Sequence, residues 1–162
     1  MSIGARRAGA GDLARICELF DGAVAELSLQ RGGPLWAVRE SRARPVEAEL
    51  ARAIEAEDHV VVVGTIDDYV AGFAVLRIET LRDGSFLAVL DEIFTDAALR
   101  EVGVGEAMMG LAIDAARLRG CRGIDSFALP GDRETKNFFE SFGLKARALL
   151  VHRSLADEDG ST

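Results

Sequence analysis

The sequence predicts one α/β (α+β) domain: a mixed, mostly antiparallel central sheet of about six strands flanked by four helices. Three observations lead there. Apolar residues recur at helical spacing in four separate stretches. β-branched and apolar runs bounded by turn residues fill the intervals. The resulting order, β-α-α-β-β-β-α-β-α-β, holds one strand-helix-strand crossover, whose two strands should run parallel with a right-handed connection.

Residues 3–8 form the first strand, Gly9 to Gly11 break it, and Asp12 is placed to cap a helix carrying Leu13, Ile16, Cys17, Phe20, Val24 and Leu27 on one stripe. Arg31-Gly32-Gly33-Pro34 interrupts that helix, and Leu35-Trp36 falls in an irregular or briefly helical segment. A second helix begins near Pro45, with Val46, Leu50, Ala53 and Ile54 on one side and Glu47, Glu49 and Glu55 on the other. Residues 60–63, 69–79 and 85–95 read as an antiparallel meander, separated by Asp67-Asp68 and Asp83-Gly84. Val104, Met108, Leu111, Ala115 and Leu118 then define a long helix that ends at Gly120. A strand over 124–129, a helix over 133–142 stopped by Gly143 and a last strand over 144–155 complete the domain, residues 1–155. The acidic tail 156–162 is expected to be flexible.

The chain of 162 residues is 49% hydrophobic and 28% charged, a balance that supports one sizeable core rather than a disordered chain. Its formal charge of −8 and the absence of any basic run longer than Arg6-Arg7 argue against nucleic acid, which demands a concentrated basic surface. That charge favours encounter with a cationic substrate such as an amine. No signal peptide and no membrane span are read, so the expected location is cytoplasmic and no membrane partner is expected. Cys17 and Cys121 match no metal or redox spacing, and Cys17, on the apolar stripe, reads as a buried core thiol. No metal site is expected: His59 and His152 are isolated and read as strand residues.

In the crossover the ligand position lies at the carboxyl ends of the two parallel strands, near Thr95 and Leu129. The loop Arg100-Glu101-Val102-Gly103-Val104-Gly105 opens the long helix there. Backbone N–H groups of such a loop and of the first helical turn have no acceptor within the helix, glycines let the chain approach a ligand closely, and the helix dipole adds positive character, a combination suited to phosphate. The alternative is a glycine-rich turn into a buried helix. A dinucleotide loop would need a third glycine where Met108 stands, and would follow its strand directly.

With this loop, this order of elements and the later segment Phe138-Phe139-Glu140-Ser141-Phe142-Gly143-Leu144, the chain resembles the GNAT N-acetyltransferase superfamily. Its coenzyme A loop reads Gln/Arg-x-x-Gly-x-Gly/Ala, and a later segment reads Phe-Tyr-Glu-x-x-Gly-Phe. The resemblance covers the chain from Ile3 to Leu155. It implies that strands 4 and 5 splay apart, that acetyl-coenzyme A is the co-substrate, and that its pyrophosphate binds N–H groups of Glu101, Val102, Gly103, Val104 and Gly105 beside Arg100. Phe94 and Thr95 would hold the pantetheine arm and polarise the thioester carbonyl, and the reaction would be direct attack by the primary amine of a small molecule or of a peptide or protein. Glu92, where the family often carries a glutamate, is the candidate general base. Asp91 faces the opposite way in a regular strand, although a bulge would exchange the two.

Two positions depart from the family pattern. Phe139 stands where many members place a tyrosine that protonates the departing thiolate; the ring could still pack against pantetheine, and solvent could supply the proton. Asp132 stands where they place an asparagine, and reads as a helix cap. Trp36 falls in the region that usually walls the acceptor pocket, or else anchors a mobile segment. A single strand after Gly143 implies an open acceptor side, suited to a peptide amine or to completion by a second subunit, so a homodimer is a further expectation. The alternative function is a non-catalytic acyl-coenzyme A binding or sensor module, which would explain Phe139.

Overall fold

The computed structural model describes residues 1–100 and 102–156. They form two compact units, one of residues 1–22 and 43–127, the other of residues 23–42 with the chain from 128. The first is built on a five-stranded sheet in the order β1 (Ile3–Arg7), β2 (His59–Ile66), β3 (Tyr69–Thr80), β4 (Phe86–Thr95), β5 (Cys121–Ser126). The first three pairings are antiparallel and β4–β5 is parallel, as the crossover requires.

Helix α1 (Leu13–Leu27) and helix α3 (Val46–Glu55) carry the two predicted apolar stripes, and Ile16, Leu19, Phe20, Val46 and Leu50 are buried. Helix α4 (Val104–Leu118) is the crossover helix and packs on the sheet through Val104 and Met108. β2 is covered on both faces, which is why Val60, Val61, Val62 and Val63 form a continuous run at most 2% exposed rather than an alternating one. Each such side chain removed from water is worth roughly 1.5–3 kcal/mol, so these central strands hold much of the core.

Local signals explain the turns. Asp67 and Asp68 both have positive φ, 47° and 69°, between β2 and β3, a tight hairpin conformation that Asp tolerates better than most residues. The Asp67 carboxylate also accepts the Ser2 N–H at 2.6 Å. Asp12 acts one turn differently from expectation: a 3-10 turn, Ala10–Asp12, precedes α1, and the carboxylate accepts the Gly9 N–H at 2.8 Å while pairing with Arg6. Cys17 is 7% exposed, and burial pushes its thiol up, as the core reading requires. No helix among the described residues is long and apolar enough to cross a membrane.

In the second unit, Leu35 and Trp36 lie on a short helix, α2 (Gly33–Arg39). A Cβ on Gly33 would stand 2.0 Å from the Leu27 carbonyl oxygen, so only glycine lets the chain turn there. Helix α5 (Arg133–Ser141) is capped by Asp132, whose carboxylate accepts the Thr135 N–H and hydroxyl at 3.2 and 2.7 Å. Gly143, at φ 84°, stops it.

Two expected elements differ. The fifth strand spans Cys121–Ser126 rather than 124–129, because its ladder with β4 ends at Leu90↔Ser126. The last strand, expected over 144–155, is not formed: these residues have no regular structure, and Leu149, Leu150, Val151 and Leu155 are 73–88% exposed. Apolar and β-branched composition provides propensity, but a strand also needs a neighbour to pair with.

Candidate active site

The end of β4 and the loop into α4 carry most of the expected site. Three features of the backbone converge there. β4 contains a bulge: Leu90 pairs with Leu76 and Glu92 with Val75, so Asp91 is an extra residue. Paired residues share a face, and thus Glu92 lies on the face of Phe73, Val75 and Phe94, whereas Leu90 lies on the other. Without the insertion, residues two apart would share a face. Asp91 does not take the opposite side; its carboxylate meets Arg77, which follows Val75 on the same face of β3, with Nε at 3.1 Å and Nη2 at 3.3 Å. Both carboxylates therefore occupy one face, and Glu92 is half-buried.

The bulge coincides with the end of the β4–β5 ladder. Up to Leu90 the two strands pair, whereas beyond it Glu92 to Thr95 are registered only with β3. The strands part as expected of the splayed pair, and the β5-facing edge of Phe94 and Thr95 lies outside that ladder. Backbone groups left on such an edge are strong donors and acceptors that require a partner.

The third feature is the start of α4. Gly103 is its N-cap at φ 101°, a left-handed conformation that favours glycine. The first intrahelical bond runs from the Ala107 N–H to the Gly103 oxygen at 3.0 Å, which leaves the N–H groups of Val104, Gly105 and Glu106 without acceptors inside the helix. Val104 is 1% exposed and buries its side chain toward the sheet, so it can offer a ligand only its backbone; Val102 is 37% exposed. The Glu106 carboxylate lies in this first turn, 3.9 Å from where a Gly103 Cβ would stand. Glu101 lies outside the described residues.

Arg100 ties the loop to the strand. Its Nε donates to the Thr95 carbonyl oxygen at 3.0 Å, and its guanidinium sits 5.0 Å from the Phe94 ring centroid. Phe94, Thr95 and Arg100 are therefore brought together. A second arginine, not singled out by the sequence, anchors the same loop: Arg15 of α1 donates from Nε to the Val70 oxygen at 3.0 Å, pairs with Asp96 at 3.2 Å and stacks over Tyr69 at 5.1 Å. Asp96 caps the short turn Ala97–Leu99 by accepting the Ala98 N–H. That N–H, and after it the Arg15 guanidinium, hold the Asp96 carboxyl below its ordinary 3.8.

A depressed carboxyl stabilises the fold above its unfolded value and loses that contribution as pH falls through the folded one. Asp96→Asn should therefore lower Tm at pH 7, with the gap to wild type narrowing as pH falls below 3.8. Thermal melts across pH 2–7 test this, and a gap independent of pH would refute it.

The sequence also left unnoticed two strand glycines beneath α4. A Cβ on Gly64 would stand 2.4 Å from Val104 Cγ1, and one on Gly72 would stand 2.7 Å from the Phe94 oxygen and 2.8 Å from Met108 Cε. The available signal was a glycine inside a strand pattern, which marks a close backbone approach. Two predicted site residues belong to the second unit. Phe139, 8% exposed, packs at 6.0 Å from Phe138, and Trp36 is half-buried on α2. His59 is hydrogen-bonded through Nδ1 to Asp58 at 2.8 Å.

The sequence profile of the acetyltransferase (GNAT) family matches residues 25–144. No curated protein matches. Among solved structures, a tetramutant of the BH1408 protein from Bacillus halodurans is 16% identical, with a TM-score of 0.80 over 96% of this chain and 100% of that one. AAC(6')-Iy in complex with the bisubstrate analogue CoA-S-monomethyl-acetylneamine is 15% identical, TM-score 0.72, over 96% and 100%. Glucosamine-6-phosphate N-acetyltransferase from Arabidopsis thaliana is 17% identical, TM-score 0.68, with the same coverage. These likenesses establish a shared fold, and the profile match, over most of the chain and across β4, the glycine loop and α4, carries the stronger conclusion: the protein belongs to the acetyltransferase (GNAT) family.

Proposed function

We propose that the protein transfers the acetyl group of acetyl-coenzyme A to a primary amine by direct attack. The observation that carries this reading is the juxtaposition of a left-handed Gly103 at the start of α4 with a β4 end that has left its ladder with β5. The N–H groups of Val102 to Gly105 suit a pyrophosphate, and Glu101 is proposed to contribute with them. The edge of Phe94 and Thr95 suits the amides of pantetheine, and a backbone N–H there suits the oxygen of a thioester passing through a tetrahedral intermediate.

In this scheme Glu92 accepts a proton from the incoming ammonium, directly or through water, and frees its lone pair. The nitrogen forms a bond to the thioester carbon and gives up its second proton to solvent, the C–S bond breaks as the tetrahedral intermediate collapses, and the thiolate leaves. Phe139 has no proton to give, so the thiolate, whose ordinary pKa is near 8.5, takes one from solvent. AAC(6')-Iy is crystallised with a coenzyme A bisubstrate analogue, which supports acetyl-coenzyme A as the donor here. The acceptor is proposed only as an amine, of a small molecule or of a peptide, with Trp36 as a candidate contact.

Calorimetric titration tests the donor. Wild type should bind acetyl-coenzyme A saturably, and Gly103→Glu should lose that binding by at least about tenfold, because a carboxylate would meet the pyrophosphate and a side chain is strained at φ 101°. Equal affinity in a folded variant would remove the loop from the reading. Binding without turnover across a broad amine panel would favour the sensor alternative.

A further inference from the structure

We infer that Arg77 is a positioning residue of this site: its guanidinium, clamped on Asp91, pins the bulge of β4 and thereby fixes the face presented by Glu92. The inference rests on the proposed function only for its bearing on catalysis, since clamp and bulge are features of the fold.

A strand with one extra residue can in principle place it at neighbouring positions, and each shift by one moves side chains to the other face. Were the insertion one residue later, Glu92 would be the looped-out residue and its alignment opposite Val75 would be lost. The observed placement looks costly by itself, because it gathers Asp91, Glu92 and Glu79 onto one face of adjacent strands. Arg77 offsets that cost. It stands on the same face and grips Asp91 with two nitrogens, Nε on Oδ2 and Nη2 on Oδ1, while Nη1 donates to Glu79. Two parallel bonds from a planar fork fix direction as well as distance. The pair is partly open to solvent, with Arg77 at 35% and Asp91 at 27% side-chain exposure, so its hold on the bulge comes from the direction that the fork imposes rather than from burial. The Asp91 bond, followed by that of Glu79, raises the arginine further above its ordinary value, so the guanidinium stays charged.

The test is amide hydrogen exchange by NMR on wild type, Arg77→Met, Arg77→Lys, Asp91→Asn and the Arg77→Met/Asp91→Asn double variant. Met keeps the apolar stem, Lys keeps the charge without the fork, and Asn keeps the shape of the carboxylate. Exchange at residues 91–95 should accelerate about tenfold or more in Arg77→Met and in Asp91→Asn, the scale expected on losing charge-assisted bonds. The double variant should be no faster than either single one, Arg77→Lys should recover part of the protection, and residues 61–63 of β2 should be unchanged. Unaltered exchange at 91–95 in a folded Arg77→Met, or additive effects in the double variant, would overturn the inference. If Arg77→Met does not fold, Asp91→Asn supplies the same comparison. Titration of the same samples with acetyl-coenzyme A separates the two readings: a wild type that fails to bind it overturns the proposed donor and leaves the clamp standing.

Discussion

Glu92→Gln should lower the rate of acetyl transfer to an accepted amine by about 10²- to 10⁴-fold while leaving acetyl-coenzyme A binding unchanged. The substitution preserves size and removes the ability to take a proton, so it isolates that one step. An amine that is protonated near neutrality has no lone pair for attack, and a positioned carboxylate supplies the missing acceptor. The bulge brings Glu92 to the face of Val75 and Phe94, at the point where β4 leaves its ladder with β5. Steady-state kinetics with saturating acetyl-coenzyme A, combined with calorimetry, decides the matter. A fall in rate below tenfold would remove Glu92 as the base, and a parallel loss of acetyl-coenzyme A affinity would indicate that the variant had disturbed the strand instead.

Gly64→Ala should destabilise the fold by about 1–3 kcal/mol, the usual cost of overpacking, and so lower Tm by roughly 2–12 °C for a chain of this size. The added methyl would stand 2.4 Å from Val104 Cγ1 and 2.9 Å from Met108 Cγ, well inside the roughly 3.5–4.0 Å at which carbon atoms rest against each other. Relief requires α4 to lift from β2. Val104 is the first residue of that helix, directly after Gly103, so the lift also moves the proposed phosphate-binding turn. Acetyl-coenzyme A should therefore bind more weakly even where the variant remains folded. Val104→Ala opens the space that the new methyl needs, and the double variant should be more stable than the sum of the single effects predicts, by about 0.5–3 kcal/mol. Additive melting temperatures would show that the contact between Gly64 and Val104 does not set the height of α4.

Much of this molecule was legible in the chain because the determinants are local. Helical stripes in α1, α3 and α4 depend on residues three and four apart, and the turns at Asp67-Asp68 and the stops at Gly120 and Gly143 depend on the φ of one or two residues. The capping by Asp132 involves Thr135, three residues on. The glycine loop was legible for the same reason, since an uncapped helix start and a left-handed N-cap are properties of consecutive residues.

Other features were settled by neighbours remote in sequence. Asp91 and Glu92 are adjacent and chemically alike, and the register against Val75 and the grip of Arg77, 14 residues away, distinguish them. The limits of β5 follow from where β4 stops offering it ladder partners, and residues 144–155 have strand-like composition without a strand. Gly64 and Gly72 read as ordinary strand glycines until α4, some 30 to 40 residues later in the chain, is laid over them. The sequence by itself determined the order of elements, their turns and the loop at the start of α4, because backbone conformation responds to the nearest few residues. The tertiary structure alone decided the register, the bulge and the closeness of helix to sheet, because those are set by the pairing and packing of segments that meet only in the fold.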